Sequence, residues 1–184
     1  MRYLAALIAL LCIACSTPAH GPSARPAPAK APEAGSHAET QTVQRDVERI
    51  IRGIYSGDVD LVLHSTYPSV IAQMGGADVA RKSLEAIVAQ VRKSGMTLES
   101  FSFPAAPAFF DAGGTRYVFV PTLSVVAVNG KRFESRNFQL GVLDAGATRW
   151  TYVEGSRLTP QNVHQLLPAF PSDRPFPPIH RKAL

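Results

Sequence analysis

The sequence predicts an α+β fold in which N-terminal helices pack on an antiparallel sheet. Residues 116–155 alternate apolar and polar side chains as β-strands do, and the segment before them repeats apolar residues at helical spacing. Two turn signals divide 116–155 into three strands: Asn129-Gly130, which favours a two-residue hairpin, and residues 144–146. A threonine-proline pair then starts a short helix over 159–167, which is expected to close the domain.

Three helices and two short strands are expected before this sheet. Apolar residues recur every three or four positions in the helices, with charged residues on the opposite side. Glycine follows the first and third helices, where it is favoured as a C-terminal cap, and Asp58 can cap the second. The expected helices cover residues 43–55, 58–63 and 78–94, and the expected strands cover 96–103 and 108–111.

The two turns also predict the strand register. A two-residue turn at Asn129-Gly130 fixes the first hairpin, and a two-residue turn at Ala145-Gly146 would fix the second. The pairs that share one face are then Val126–Phe133, Ser124–Ser135, Thr122–Asn137 and Val120–Gln139 in the first hairpin, and Gly141–Trp150, Gln139–Tyr152 and Asn137–Glu154 in the second.

This face, which we call the inner face, mixes large apolar side chains with polar ones that lie opposite each other. An apolar lining with a few converging polar groups is typical of a small-molecule pocket, and Gly141 leaves room for the Trp150 indole. The alternative is a half-exposed face whose polar groups are simply hydrated. The candidate ligand-binding residues are Thr122, Asn137, Gln139, Trp150, Tyr152 and Glu154, with Tyr67 from the segment that breaks the second helix.

The first fifteen residues have the features of an export signal. An apolar stretch over 4–14 is too short to span a bilayer, and it ends at Ala14-Cys15. This end resembles a bacterial lipoprotein signal, which implies lipid attachment at Cys15. Cys12 departs from that pattern, because Leu, Val or Ile normally stands there, and ordinary cleavage after Ala19 is the alternative.

The cysteine count agrees with lipidation, because no cysteine follows Cys15 that could form a disulfide within the mature chain. Ser16 follows it where an Asp would resemble an inner-membrane retention signal, so a lipid anchor in the outer membrane, facing the periplasm of the bacterial cell envelope, is expected. Residues 16–39, rich in Pro and Ala, are predicted to form a disordered tether. The domain is expected over 40–168, and a Pro-rich tail over 169–184 is expected to lie extended on the surface.

The order of the elements resembles the NTF2-like superfamily, in which a curved sheet wraps around helices to form a cone. The resemblance covers residues 42–167 and rests on the helix order, on 57–60 opening the second helix, on 75–76 before the third, and on 150–155 closing the last strand. This fold hosts enzymes, binding proteins and interaction modules, so the resemblance implies an architecture rather than an activity.

Members that resemble ketosteroid isomerases or polyketide cyclases use a carboxylate or histidine base with a Tyr or Asp donor. That resemblance implies Glu154 or His64 as the base, and Tyr67 or Tyr152 as the donor. The sequence contains no motif specific to either enzyme group.

Composition argues against several other classes of function. The net charge of +5 is scattered, and no basic run is interleaved with aromatic residues, so nucleic acid is not an expected partner. The five histidines are dispersed without ligand spacing, and no glycine-rich phosphate loop occurs, so neither a metal nor a cofactor is expected.

The leading hypothesis is therefore a non-catalytic lipoprotein whose domain binds a small apolar ligand or a segment of a partner. The first alternative is an enzyme of the isomerase or cyclase type that uses Glu154 or His64. The second is an interaction module that forms a homodimer, or docks on another envelope protein, through the opposite, apolar face of the sheet (Phe119, Pro121 and Phe138).

Overall fold

The computed structural model describes residues 35–184, and these residues form the predicted α+β domain. The export signal, Cys15 and most of the predicted tether lie outside the described residues. The helices are α1 (His37–Ser56), α2 (Val59–Ser65), α3 (Pro68–Gln73), α4 (Ala77–Lys93) and α5 (Val163–Leu166). The strands are β1 (Thr97–Ser102), β2 (Ala108–Ala112), β3 (Thr115–Val128), β4 (Lys131–Leu143), β5 (Thr151–Glu154) and β6 (His180–Ala183).

Helix α1 begins inside the segment that the sequence assigned to the tether. The Ser36 hydroxyl accepts a hydrogen bond from the backbone N–H of Glu39, and the Glu39 carboxylate accepts one from the backbone N–H of Ser36. This reciprocal capping box satisfies two backbone donors at the start of the helix. Helix α1 therefore begins three residues before the predicted domain boundary at residue 40.

Helices α2 and α4 follow their predicted spans closely, and α3 is an addition to the prediction. Asp58 caps α2 by accepting a hydrogen bond from the Leu61 N–H at 3.0 Å. Pro68 occupies the first turn of α3, where its missing N–H costs no hydrogen bond. Six residues are too few to show a helical period, so no helix was predicted there.

The long hairpin of β3 and β4 forms the centre of a six-stranded antiparallel sheet. Its register is the predicted one, with Val126 opposite Phe133 and Thr122 opposite Asn137. Asn129 and Gly130 both have positive φ, as a two-residue turn of this kind requires. Along the outer edge of β3 lie β1 and β2, and along the outer edge of β4 lie β5 and β6.

The predicted register between β4 and β5 is wrong by two residues. Gln139 lies opposite Glu154 and Gly141 opposite Tyr152. The chain turns at 144–147, where the Ala147 N–H donates to the Asp144 carbonyl, and then runs on to Thr151 before pairing resumes. Because the shift is an even number of residues, each side chain keeps its predicted face.

Each face of the sheet is covered by its own apolar cluster. On the inner face, α1 packs Val43, Val47 and Ile50 against β3 and against aromatic residues of neighbouring segments. The opposite face, called here the outer face, carries an aromatic and aliphatic cluster. Its buried strand residues are Phe110, Tyr117, Phe119, Phe138, Leu140, Val142 and Val153.

The C-terminal segment covers the outer face and corrects the prediction of a surface tail. Phe170 is buried, and Phe176 stacks on it with ring centroids 5.5 Å apart. Both rings contact Phe119, at 6.3 Å and 6.1 Å respectively. Residues 180–183 then pair with β4 as strand β6. The segment 169–184 is thus part of the domain, and the apolar face that was expected to be available for docking is covered by the chain itself.

Candidate ligand-binding cavity

A cavity of about 370 Å³ lies between the inner face and the helices. This volume is within the range of small-molecule sites, roughly 300 to 1,000 Å³. The helices contribute its apolar wall through Ile50, Ile51, Ile54 and Tyr55 of α1, Val59 and Val62 of α2, and Leu84, Ile87 and Val88 of α4. The amphipathic stripes that predicted these helices therefore do not meet the sheet everywhere, and the gap between them is the cavity.

Five of the predicted binding residues line this cavity: Thr122, Asn137, Gln139, Tyr152 and Glu154. The β3–β4 register brings Thr122 and Asn137 side by side, and Gln139 lies two residues further along β4 on the same face. Glu154 is opposite Gln139 on β5. Polar side chains of three neighbouring strands thus converge on one apolar space.

Thr122 and Gln139 are the polar groups best placed to meet a ligand. Their exposed fractions are 5% and 4%, yet neither side chain forms a hydrogen bond with another residue in the range 35–184. No fully enclosed side-chain N or O atom in that range lacks a partner, so the polar atoms of these two residues reach open cavity space. A buried polar group is stabilised when it gains a hydrogen bond, which a ligand could supply.

Glu154, by contrast, is already engaged by its neighbours. The Asn137 amide donates to Oε1 at 3.1 Å, and the Ser156 hydroxyl donates to the same oxygen at 2.7 Å. Arg157 Nε lies 3.8 Å from Oε2. Asn137 is fixed in turn, because its Oδ1 accepts the backbone N–H of Phe138 at 2.8 Å. These contacts hold the carboxylate in place at the cavity wall.

Tyr152 lines the cavity with its ring, while its hydroxyl is directed to α1. The hydroxyl donates to Asp46 Oδ2 at 3.3 Å. Burial, followed by the nearby Asp46 charge, raises the pKa of Tyr152 well above its ordinary value. The phenol therefore stays protonated at neutral pH and serves as a structural donor between sheet and helix.

The mouth of the cavity carries a cation that sequence reasoning missed. Arg181 of β6 pairs with Ser135, whose side chain lies on the inner face, and both line the cavity. Burial raises the pKa of the Tyr55 phenol, with Arg181 partly opposing that rise, so Tyr55 remains a hydrogen-bond donor beside this cation. No local pattern indicated Arg181, because its position depends on the return of the C-terminal strand to β4.

The remaining candidates lie away from the cavity. Trp150 packs on Phe109 beneath α1, with ring centroids 6.1 Å apart. Tyr67 packs at the edge of the outer cluster, and burial followed by the neighbouring Asp144 raises its pKa. His64 lies in a separate open groove, where its backbone carbonyl accepts a hydrogen bond from Arg149 at 2.6 Å. The structure does not bring His64 or Tyr67 together with Glu154.

Two further properties of residues 35–184 bear on other functions. No group of three or more His, Cys, Asp or Glu side chains is arranged to hold a metal ion in this part of the chain. None of the helices described above is both long enough and apolar enough to cross a membrane.

Comparison of the chain with protein-family models, with curated proteins and with solved structures gives no match in any of the three. Inferences about function therefore depend on the geometry of the cavity and on the sequence.

Proposed function

We propose that this domain is a non-catalytic binding module that holds a small, largely apolar molecule in the cavity between α1, α2, α4 and the inner face. The observation that carries the proposal is the pairing of an apolar wall with Thr122 and Gln139, two buried polar side chains without partners in the described chain. Apolar area provides affinity in such a site, and a few polar groups orient the ligand. A segment of a partner protein is the alternative occupant.

We also propose that the domain is an NTF2-like cone on an exported lipoprotein. The helix order and the cavity between helices and sheet support the first part. The Ala14-Cys15 end of the apolar N-terminal stretch supports the second, with the outer membrane, facing the periplasm, as the location. Metabolic labelling with palmitate tests the anchor: the wild type should carry label and Cys15→Ala should not, and equal labelling of both would reject it.

Binding is tested by calorimetry with decanol on the full-length chain made by cell-free synthesis, which attaches no lipid. The wild type should bind, and Ser124→Phe should bind at least tenfold more weakly, because the added ring occupies cavity volume. Leu123→Phe is the matched control, because the neighbouring position on β3 faces the opposite side of the sheet. Equal decanol affinity in all three proteins would contradict the proposed cavity.

Of the two bases considered in the enzyme hypothesis, Glu154 lines the cavity and His64 does not. Asn137, Ser156 and Arg157 already occupy the carboxylate oxygens of Glu154, which favours a role as a fixed polar contact over direct reaction with a ligand. Once a bound molecule is identified by native mass spectrometry, its fate can be followed with the wild type, Glu154→Ala and His64→Ala. Turnover that either substitution abolishes would replace the binding hypothesis with the enzyme.

A further inference from the structure

We propose that the ligand is an apolar monocarboxylate, and that Arg181 on the C-terminal strand binds its carboxylate at the mouth of the cavity. This inference rests on the proposed binding function and adds the class of ligand. It also assigns a role to β6, which the sequence had suggested was a surface tail.

The position of Arg181 follows from strand pairing. In β6, Arg181 lies opposite Ser135, and Lys182 lies opposite Glu134. Because alternate side chains point to opposite faces, Arg181 is on the inner face with the cavity, and Lys182 is on the outer side. The Arg181 guanidinium rests 4.8 Å from the centre of the Phe133 ring, a contact that keeps the charge at the mouth.

Among residues 35–184, the charged side chains that line the cavity are Glu154, Arg157 and Arg181, which leaves one positive charge without a counter-charge. Glu154 and Arg157 lie 3.8 Å apart and offset each other. Glu134, the nearest acidic residue along β4, contacts Lys182 at 3.2 Å and Arg136 at 3.8 Å. No carboxylate within residues 35–184 forms an ion pair with Arg181. A ligand with one negative charge would complete this arrangement.

A carboxylate with one negative charge fits the mouth of the cavity better than a ligand group that carries more negative charge. A guanidinium presents two parallel N–H donors that match the two oxygens of a carboxylate. Tyr55 adds a neutral hydroxyl donor next to Arg181. The cavity is also lined by buried apolar side chains, among them Ile50, Val62 and Val88, so a carboxylate held by Arg181 would leave its hydrocarbon chain to pack against them.

The test compares three probes that share a ten-carbon chain, namely decanoate, decanol and decyltrimethylammonium, by calorimetry on the full-length chain made without lipid. Decanoate should bind about tenfold more tightly than decanol, and decyltrimethylammonium more weakly than either. In Arg181→Gln the advantage of decanoate over decanol should fall to about twofold, and Arg181→Lys should restore most of it. Higher salt should reduce the decanoate advantage, because the mouth is open to solvent.

Lys182→Gln is the matched control, since it removes the same charge from the same strand on the other face. It should leave the decanoate advantage intact. If Arg181→Gln and Lys182→Gln behave alike, or if decanol binds as well as decanoate to the wild type, the carboxylate assignment is overturned and the apolar binding function stands. If none of the three probes binds, both proposals are overturned.

Discussion

At the scale of single residues, Gly141 shows how closely the inner face is packed. A Cβ at this position would lie 2.6 Å from Val118 Cγ1 and 3.2 Å from both Trp150 and Tyr152. The sequence predicts that Gly141 leaves room for the Trp150 indole, and the indole is a neighbour of Gly141. The residue directly across the strand pair is Tyr152, however, because the register differs by two.

We expect Gly141→Ala to lower the free energy of unfolding by about 1 to 3 kcal/mol, the usual cost of adding a methyl group to a packed interior. Urea denaturation followed by Trp150 fluorescence measures this loss. The cost should shrink in a Val118→Ala background, because the closest contacting methyl group is then absent. Additive losses in the double variant would show that the contact with Val118 is not the cause.

At the scale of elements, the correct predictions are those for segments whose geometry depends on neighbouring residues in the chain alone. Asn129-Gly130 fixed the β3–β4 register, because a two-residue turn allows a single alignment of its strands. The turn before β5 carried the same kind of signal but failed. Trp150 packs under α1 and Arg149 bonds to the end of α2, so the loop extends further than its turn residues indicate.

The capping box of α1 gives a prediction about pH. Hydrogen bonding from the Ser36 backbone, assisted by the Ser36 hydroxyl and Arg116 and partly opposed by burial, lowers the pKa of Glu39 from its ordinary value of 4.5. A lowered pKa in the folded state stabilises the protein above the ordinary value, and this stabilisation is lost as the pH falls through the lowered value. Glu39→Gln should therefore unfold more easily by about 0.3 to 1 kcal/mol at neutral pH, because the helix N-terminus loses a negative charge, and match the wild type in acid.

Thermal unfolding followed by circular dichroism, from neutral to acid pH, measures the difference in stability between the wild type and Glu39→Gln. Glu48→Gln is a suitable control, because it removes a carboxylate of the same helix that forms a surface ion pair with Arg52. Its effect at neutral pH should be smaller. A constant gap between the wild type and Glu39→Gln from neutral to acid pH would exclude the charge of Glu39 as the source.

At the scale of the whole molecule, the C-terminal segment performs two tasks. Phe170 and Phe176 cover the outer face, and β6 extends the sheet at the mouth of the cavity. The sequence indicated neither, because a Pro-rich stretch with separated aromatic residues has no period that marks it as part of a core. Because the same segment buries Phe119 and Phe138, these side chains are not exposed for the docking that the interaction-module hypothesis requires.

We expect a chain that ends at residue 168 to associate, because its outer face would present a contiguous apolar patch to solvent. Light scattering during size-exclusion chromatography measures the change in mass. A chain that ends at residue 178 is the control, since it loses β6 but keeps Phe170 and Phe176 in place. Identical masses for the full-length chain and both truncated chains would contradict the covering role of residues 169–178.

The sequence by itself determined the fold class, four of the five described helices, the long hairpin and the face on which Thr122, Asn137, Gln139 and Glu154 meet. These follow from helical and strand periods and from turn chemistry, which act between residues close in the chain. Only the tertiary structure decided that this face borders a cavity, that Trp150 lies outside it, and that Arg181 stands at its mouth. Those outcomes depend on contacts between residues far apart in sequence, which no local pattern specifies.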